Sequence, residues 1–143
     1  MHITSLPGPH GSGDLSREAF DFIDFCADAR QTLWQMLPVG PPGDPPWNSP
    51  YSSYSSSAGS PYLVSLHGLA EDGLLTPRDL KPPAGASDRK VKFRATRAFR
   101  DDRLRTAYGR FRNGKCRRAL RAAFAAFANE QRPGSTTSRC SAH

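Results

Sequence analysis

Residues 2–39 read HITSLPGPHGSGDLSREAFDFIDFCADARQTLWQMLPV, and the fold class turns on how this segment divides. Its middle places Ala19, Phe22, Ile23 and Cys26 at i, i+3, i+4 and i+7, which is one apolar face of a helix. Ser16 stands at the N-cap position and Glu18 in the first turn, where a negative charge suits the helix dipole. Asp21, Asp24 and Asp28 fall on the other side. Before the helix, His2, Ile3 and Thr4 read as the end of a strand that Pro7 stops, because proline cannot donate to a ladder. After it, TLWQMLPV (32–39) reads as a buried parallel strand. Strand, helix and strand make a βαβ unit with a right-handed crossover, so the expected class is α/β.

Working outward, length limits what this unit belongs to. An eight-fold (β/α) barrel needs at least ~200 residues, and this chain has 143. Only 37% of the residues are hydrophobic, which leaves few for a large core. No run of about 18 apolar residues is present, so no membrane span is expected. The start has neither a basic region nor an apolar one of signal-peptide type. Cys26, Cys116 and Cys140 are odd in number and widely spaced. They read as free thiols in a reducing cytoplasm rather than as a disulfide framework or a zinc site.

Charge is split along the chain. Residues 1–75 hold two basic and eight acidic side chains, and residues 76–143 hold 18 basic and five acidic ones. Such a division suits a basic tail for nucleic acid, or two halves that face different neighbours.

Beyond Val39 the pattern is a long loop at 40–61, a short strand YLVSL at 62–66, and a brief helix capped by Ser65 and ending near Gly73. TPRDL opens one more helical turn, with Thr76 as cap and Pro77 at the first helical position. KPPAGASDRK reads as a mobile connection. Two helices follow. One runs from about Ala95 to Arg112 with Leu104, Ala107, Tyr108 and Phe111 on a face, and stops at Gly114. The other runs from about Lys115 to Gln131 with a stripe of Cys116, Ala119, Leu120, Ala123, Phe124 and Phe127. RPGSTTSRCSAH has no period and is expected to be disordered. The expected divisions are 1–75, 76–131 and 132–143.

Most candidate chemistry reduces to ordinary structure. GPHGSGD has the spacing GxxGxG, which fits neither a dinucleotide turn nor a phosphate loop, so it reads as a tight turn. His2, His10, His67 and His143 share no helix face with one another or with a cysteine, so no metal site is expected. Asp21, Asp24 and Asp28 read as a solvated helix face, although retaining glycosidases pair carboxyl groups ~5–5.5 Å apart. Arg103, Arg110, Arg117 and Arg121 point away from the apolar stripes and would suit phosphates. They lack an interleaved aromatic platform and match no nucleic-acid-binding motif, so nucleic acid is not the expected partner.

WNSPYSSYSSSAGSPYLVSL (47–66) is different. It holds eight serines and four aromatic residues and no charge. Trp47, Tyr51, Tyr54 and Tyr62 offer apolar faces with polar edges, on which a pyranose could pack while Asn48 or a serine bonds its hydroxyls. Composition alone leaves a serine-rich linker and a sugar-binding loop equally open.

The order and spacing of HITSLPGPHGSGDLS, WQMLPVGPPG and NSPYSSYSSSAGSPYLVSLHGLAEDGLL resemble the N-terminal part of bacterial 4-alpha-glucanotransferases, the amylomaltases or disproportionating enzymes of the alpha-amylase clan. The similarity runs from His2 to about Gln131, closer in 2–75 than beyond. It implies the first portion of a (β/α) TIM barrel with a helical insertion, His2–Leu6 ending strand 1 and Leu33–Leu37 forming strand 2. It implies that Asn48, Ser49 and Tyr51 bind substrate, with Tyr51 stacked on the donor sugar and Ser49 touching the glucan. The implied reaction passes an alpha-1,4-glucan segment to the 4-hydroxyl of a glucose or glucan acceptor, with retention and without a cofactor. The implied nucleophilic aspartate, acid/base glutamate and stabilising aspartate belong to later strands, so no catalytic residue is assigned in this chain. The expectation is a fragment that is inactive alone. With at most two strands its sheet would have open edges, so partial folding or aggregation is expected.

Overall fold

The computed structural model describes residues 1–43, 49–55, 57–82 and 90–131. Four α-helices carry it: α1 (Arg17–Asp28), α2 (Leu66–Glu71), α3 (Phe93–Arg112) and α4 (Arg118–Glu130). Two short 3-10 turns, Ile3–Ser5 and Pro61–Leu63, complete the regular structure. No helix among the described residues is long and apolar enough to cross a membrane.

The helices fall where the apolar period places them. α1 begins at Ser16, but the Ser16 hydroxyl donates to Glu18 Oε2 at 2.5 Å instead of accepting from the helix backbone. Ser65 does cap α2, its Oγ accepting from Gly68 N at 3.0 Å. α3 ends at Gly114, whose φ of +75° lets Gly114 N reach Phe111 O and Lys115 N reach Arg110 O.

The strands do not form, and the expected βαβ unit is corrected accordingly. His2–Leu6 is a 3-10 turn closed by Ser5 N to His2 O and Leu6 N to Ile3 O. His2 Nδ1 accepts from Thr4 N. The Thr4, Ser5 and Leu6 N–H groups are thus satisfied locally and are not offered to a ladder. Gln31–Val39 runs without turn or bend and without a ladder partner among the described residues, and a strand exists only against another strand. YLVSL is likewise divided between the Pro61–Leu63 turn and the cap of α2. Among the described residues the one β contact is an isolated antiparallel bridge between Pro42 and Ser53.

TPRDL is a turn and not a helix, and its capping runs opposite to expectation. Thr76 N and Thr76 Oγ1 both donate to Asp79 Oδ2, at 2.7 Å each. Most of KPPAGASDRK and all of 132–143 lie outside the described residues.

The core is small and sits between α2, α3 and the turn after α2. Leu66, Leu74, Leu75 and Ala107 are buried, with Phe99, Phe111, Cys116 and Leu120 packed around them. α1 buries only Ala19, and α4 buries no residue. Leu33 is 89% exposed, and Phe20, Ile23, Phe25, Phe124 and Phe127 are also exposed.

The glycine-rich turn 8–14 is built into this core. Gly13 lies so close to the Ile3–Leu6 turn that a Cβ would meet Ile3 O at 2.2 Å. Gly11, at φ +86°, lies so close to α3 that a Cβ would meet Thr96 Oγ1 at 2.7 Å. His10 is only 1% exposed, stacks against Phe99 and bonds Leu80 O through Nε2 at 3.1 Å.

Candidate functional site

The serine-rich segment is an ordered loop where it is described. Gly43 N donates to Ser52 O at 2.7 Å, and Ser60 N donates to Val39 O at 2.8 Å. Serine side chains knit the rest. Ser53 Oγ donates to Ser55 O, and Ser55 Oγ accepts from Ala58 N. Such short-range serine bonds stand in for the missing secondary structure. Gly40 allows the loop to close, because a Cβ there would meet Ser53 Oγ at 2.6 Å.

Two of the three expected substrate-binding residues are described. Ser49 is half-buried, and its Oγ accepts from Tyr51 N at 3.3 Å. Tyr51 is 73% exposed, so its ring is open to solvent. Asn48, with Trp47, lies outside the described residues. Tyr54 is exposed, whereas Tyr62 is half-buried with the Arg97 guanidinium 5.0 Å from its ring centre.

Beneath this loop lies a cleft of about 260 Å³. The loop contributes Pro50, Ser60 and Tyr62, the 31–39 segment contributes Leu37 and Val39, and α3 contributes Thr96 and Arg100. His2, Thr4, Ser5 and Ser12 complete its polar side. Ser49 and Tyr51 flank Pro50 but do not line the cleft themselves.

Arg100 fixes this arrangement. It is 1% exposed, and its guanidinium donates to Asp14 Oδ2 at 2.6 Å and to Val64 O at 3.2 Å. One side chain of α3 thereby ties the glycine-rich turn to the segment after Tyr62. Arg103 and Arg110, expected to face outward, also turn inward. Arg103 Nε donates to Asp79 O at 2.6 Å. Arg110 donates to Leu74 O and to Asp79 Oδ2. The basic helix therefore finds part of its counter-charge and its carbonyl acceptors within the chain. Arg117 and Arg121 remain exposed.

No group of three potential metal ligands occurs among the described residues. Asp21, Asp24 and Asp28 are exposed, as a solvated face requires. The Ser16 hydroxyl holds the Glu18 carboxyl below its usual range, and Thr76 and Arg110 hold the Asp79 carboxyl far below its own. Both are kept as anions.

The sequence weighs His2 and His10 only as metal ligands and does not single out Arg100. His2 sat in an expected strand, and Arg100 was one cation among many. The one available signal for Arg100 was its spacing from Thr96 and Ala107 at i+4 and i+11, which is the buried face of α3.

A profile of the 4-alpha-glucanotransferase family matches residues 1–135, and the chain belongs to that family. It is 42% identical over 131 residues to a 4-alpha-glucanotransferase of Synechocystis, covering 92% of this chain and 25% of the relative. It is 42% identical over 127 residues to the Thermus thermophilus 4-alpha-glucanotransferase, covering 89% of this chain and 24% of the relative. Among solved structures it is similar to an amylomaltase from Streptococcus agalactiae in complex with acarbose, with TM-score 0.79, 30% identity, and coverage of 92% and 26%. The chain thus spans about a quarter of the length of the relatives it matches.

Proposed function

We propose that this chain supplies the glucan-holding loop of a cytoplasmic 4-alpha-glucanotransferase, which moves alpha-1,4-glucan segments to the 4-hydroxyl of a glucose or glucan acceptor with retention. The observation that carries the reading is the family match over residues 1–135, which includes the whole serine- and tyrosine-rich loop. Tyr51 offers the exposed ring on which a pyranose stacks, and Ser49 fixes the backbone beneath that ring. Asn48 completes the set.

The chain holds sugar but does not cut it. Retaining transfer needs two carboxyl groups ~5–5.5 Å apart, one of them protonated so that it can act as an acid. Among the described residues, the Glu18 and Asp79 carboxyls are both shifted downward. That direction removes an acid and does not create one. Asp14 is occupied by Arg100.

Two measurements test this. Incubation of the 143-residue chain with maltotriose should yield no longer glucans, and their sustained formation would overturn the assignment of inactivity. Maltooligosaccharide titrated against tryptophan fluorescence should give a saturable change that Tyr51→Ala abolishes. A change that Tyr51→Ala leaves intact would remove Tyr51 from the site.

A further inference from the structure

α1 and α4 each expose aromatic rings beside charges of one sign, and the two signs are opposite. On α1, Phe20, Ile23 and Phe25 are exposed, and so are Asp21, Asp24 and Asp28. Asp24 follows Phe20 by four residues and Asp28 follows Phe25 by three, so rings and carboxylates are surface neighbours. On α4, Phe124 and Phe127 are exposed. Arg117 at its N-cap, Arg118 and Arg121 are exposed too, and Arg117 and Arg121 stand seven and three residues before Phe124, on its side of the helix. No carboxylate stands on α4 before Glu130. We propose that the acidic, aromatic face of α1 on one copy of this chain docks against the basic, aromatic face of α4 on a second copy. The contact is separate from glucan binding.

Charge pairing inside one copy leaves these two faces over. The inward cations of α3 find Asp14 and Asp79. On α1, Arg17 pairs with Asp21 at 3.2 Å, and Asp24 and Asp28 have no ion pair among the described residues. Arg117, Arg118 and Arg121 have none there either. No ion pair or ring contact joins α1 to α4 within a copy among the described residues. α3 also exposes Arg94, Arg105 and Arg112, but Asp101 and Asp102 stand among them in the chain, so its surface is of mixed sign.

Apolar burial supplies the attraction, and charge chooses the pairing. Covering the rings of both helices removes apolar surface from water. An α1–α1 or α4–α4 contact would set like charges against each other, whereas α1 against α4 sets carboxylates against guanidinium groups. Shape agrees with this choice. The exposed Ala122, Ala125 and Ala126 leave space on α4 into which the larger rings of α1 can pack.

The test is sedimentation equilibrium of the full 143-residue chain and of charge-reversed variants. Asp24→Lys with Asp28→Lys makes the α1 face basic, and Arg118→Glu with Arg121→Glu makes the α4 face acidic. Lys at the end of α1 and Glu at the start of α4 both suit the helix dipole, so neither pair should cost helix, and circular dichroism checks this. Each pair should weaken self-association at least about tenfold. All four changes in one chain should restore it, and so should an equimolar mixture of the two paired variants. Phe127→Ser, which removes a ring and no charge, should also weaken it. Raising salt from about 0.1 M to about 1 M shortens the screening length from ~10 Å to ~3 Å and should weaken association of the wild type. Unchanged association in either paired variant or in Phe127→Ser, no recovery in the fourfold variant, or association that strengthens with salt would each overturn the inference. A wild-type chain that stays monomeric at high concentration would overturn it too, and would leave both faces to a different partner.

Discussion

Arg100 and Asp14 stand 86 residues apart in sequence and meet at 2.6 Å in the interior, each almost wholly buried. The contact joins α3 to the glycine-rich turn. Its partners decide its worth. Arg100 also bonds Val64 O and Ser12 O, so most of the guanidinium is satisfied. A buried charge left alone is costly, and removing one partner of such a pair is expected to destabilise by ~3–5 kcal/mol.

Arg100→Ala should therefore lower the denaturant midpoint of the helical signal sharply, and Asp14→Ala should do much the same. The double replacement Asp14→Leu with Arg100→Met should cost less than the two single changes together, because it leaves no lone charge. Additive losses would mean that the two residues act independently and that the pair is not the joint.

His10 gives the fold a pH dependence near neutrality. Burial is the main reason its pKa lies below 6.5, assisted by the Arg100 and His67 charges and opposed by its bond to Leu80 O and by Asp14. The unfolded chain therefore binds a proton more readily than the folded one. Stability rises with pH across this window and is lost as pH falls below about 6.5. The midpoint measured at pH 5 should be lower than at pH 7.5, and His10→Gln should flatten that difference. An unchanged slope in His10→Gln would assign the dependence to another group.

Asp79 acts in a separate, more acid window. Its carboxylate accepts from Thr76 N, Thr76 Oγ1 and Arg110 and is held well below the 3.8 of a free aspartate. The stability it contributes is present above 3.8 and lost as pH falls further. Asp79→Asn should cost about 1–2 kcal/mol at neutral pH. The gap between variant and wild type should persist at pH 5, where the His10 contribution is already changing, and close only in strong acid. A gap that closes by pH 5 would contradict this account.

How much of this the sequence carried depends on the kind of interaction. α1, α3 and α4 were readable because helix bonds are local and the apolar period repeats along one face, although α1 buries only Ala19 and α4 buries no residue. Ser65 and Gly114 were readable as cap and stop for the same reason. The expected strands are not formed among the described residues, because a run such as TLWQMLPV specifies a strand only together with the neighbour it pairs with. Tyr51 and Ser49 were singled out through motif likeness, and composition alone left their loop undecided. Arg100 was invisible, since nothing in a run of arginines marks the one that meets an aspartate far upstream. Arg103 and Arg110, expected on a face away from the apolar stripe, likewise turn inward.

The helices expose large apolar side chains that the small core does not cover. Phe20, Ile23 and Phe25 on α1, Leu33 in the unpaired segment, and Phe124 and Phe127 on α4 are all exposed. Patches of this kind drive association when they exceed a few hundred Å². The purified chain should accordingly show an apparent mass that rises with concentration in sedimentation or light scattering. Replacing Leu33, the most exposed of these side chains at 89%, with Asp should reduce that rise without lowering the unfolding midpoint, because it removes no packed contact. Phe124→Lys should reduce it at some cost in stability, since the Phe124 ring meets Phe111 edge-on at 5.1 Å. A chain that remains monomeric at high concentration and unfolds in one cooperative step would show that the Leu66–Ala107 core suffices on its own and that these faces are tolerated in water.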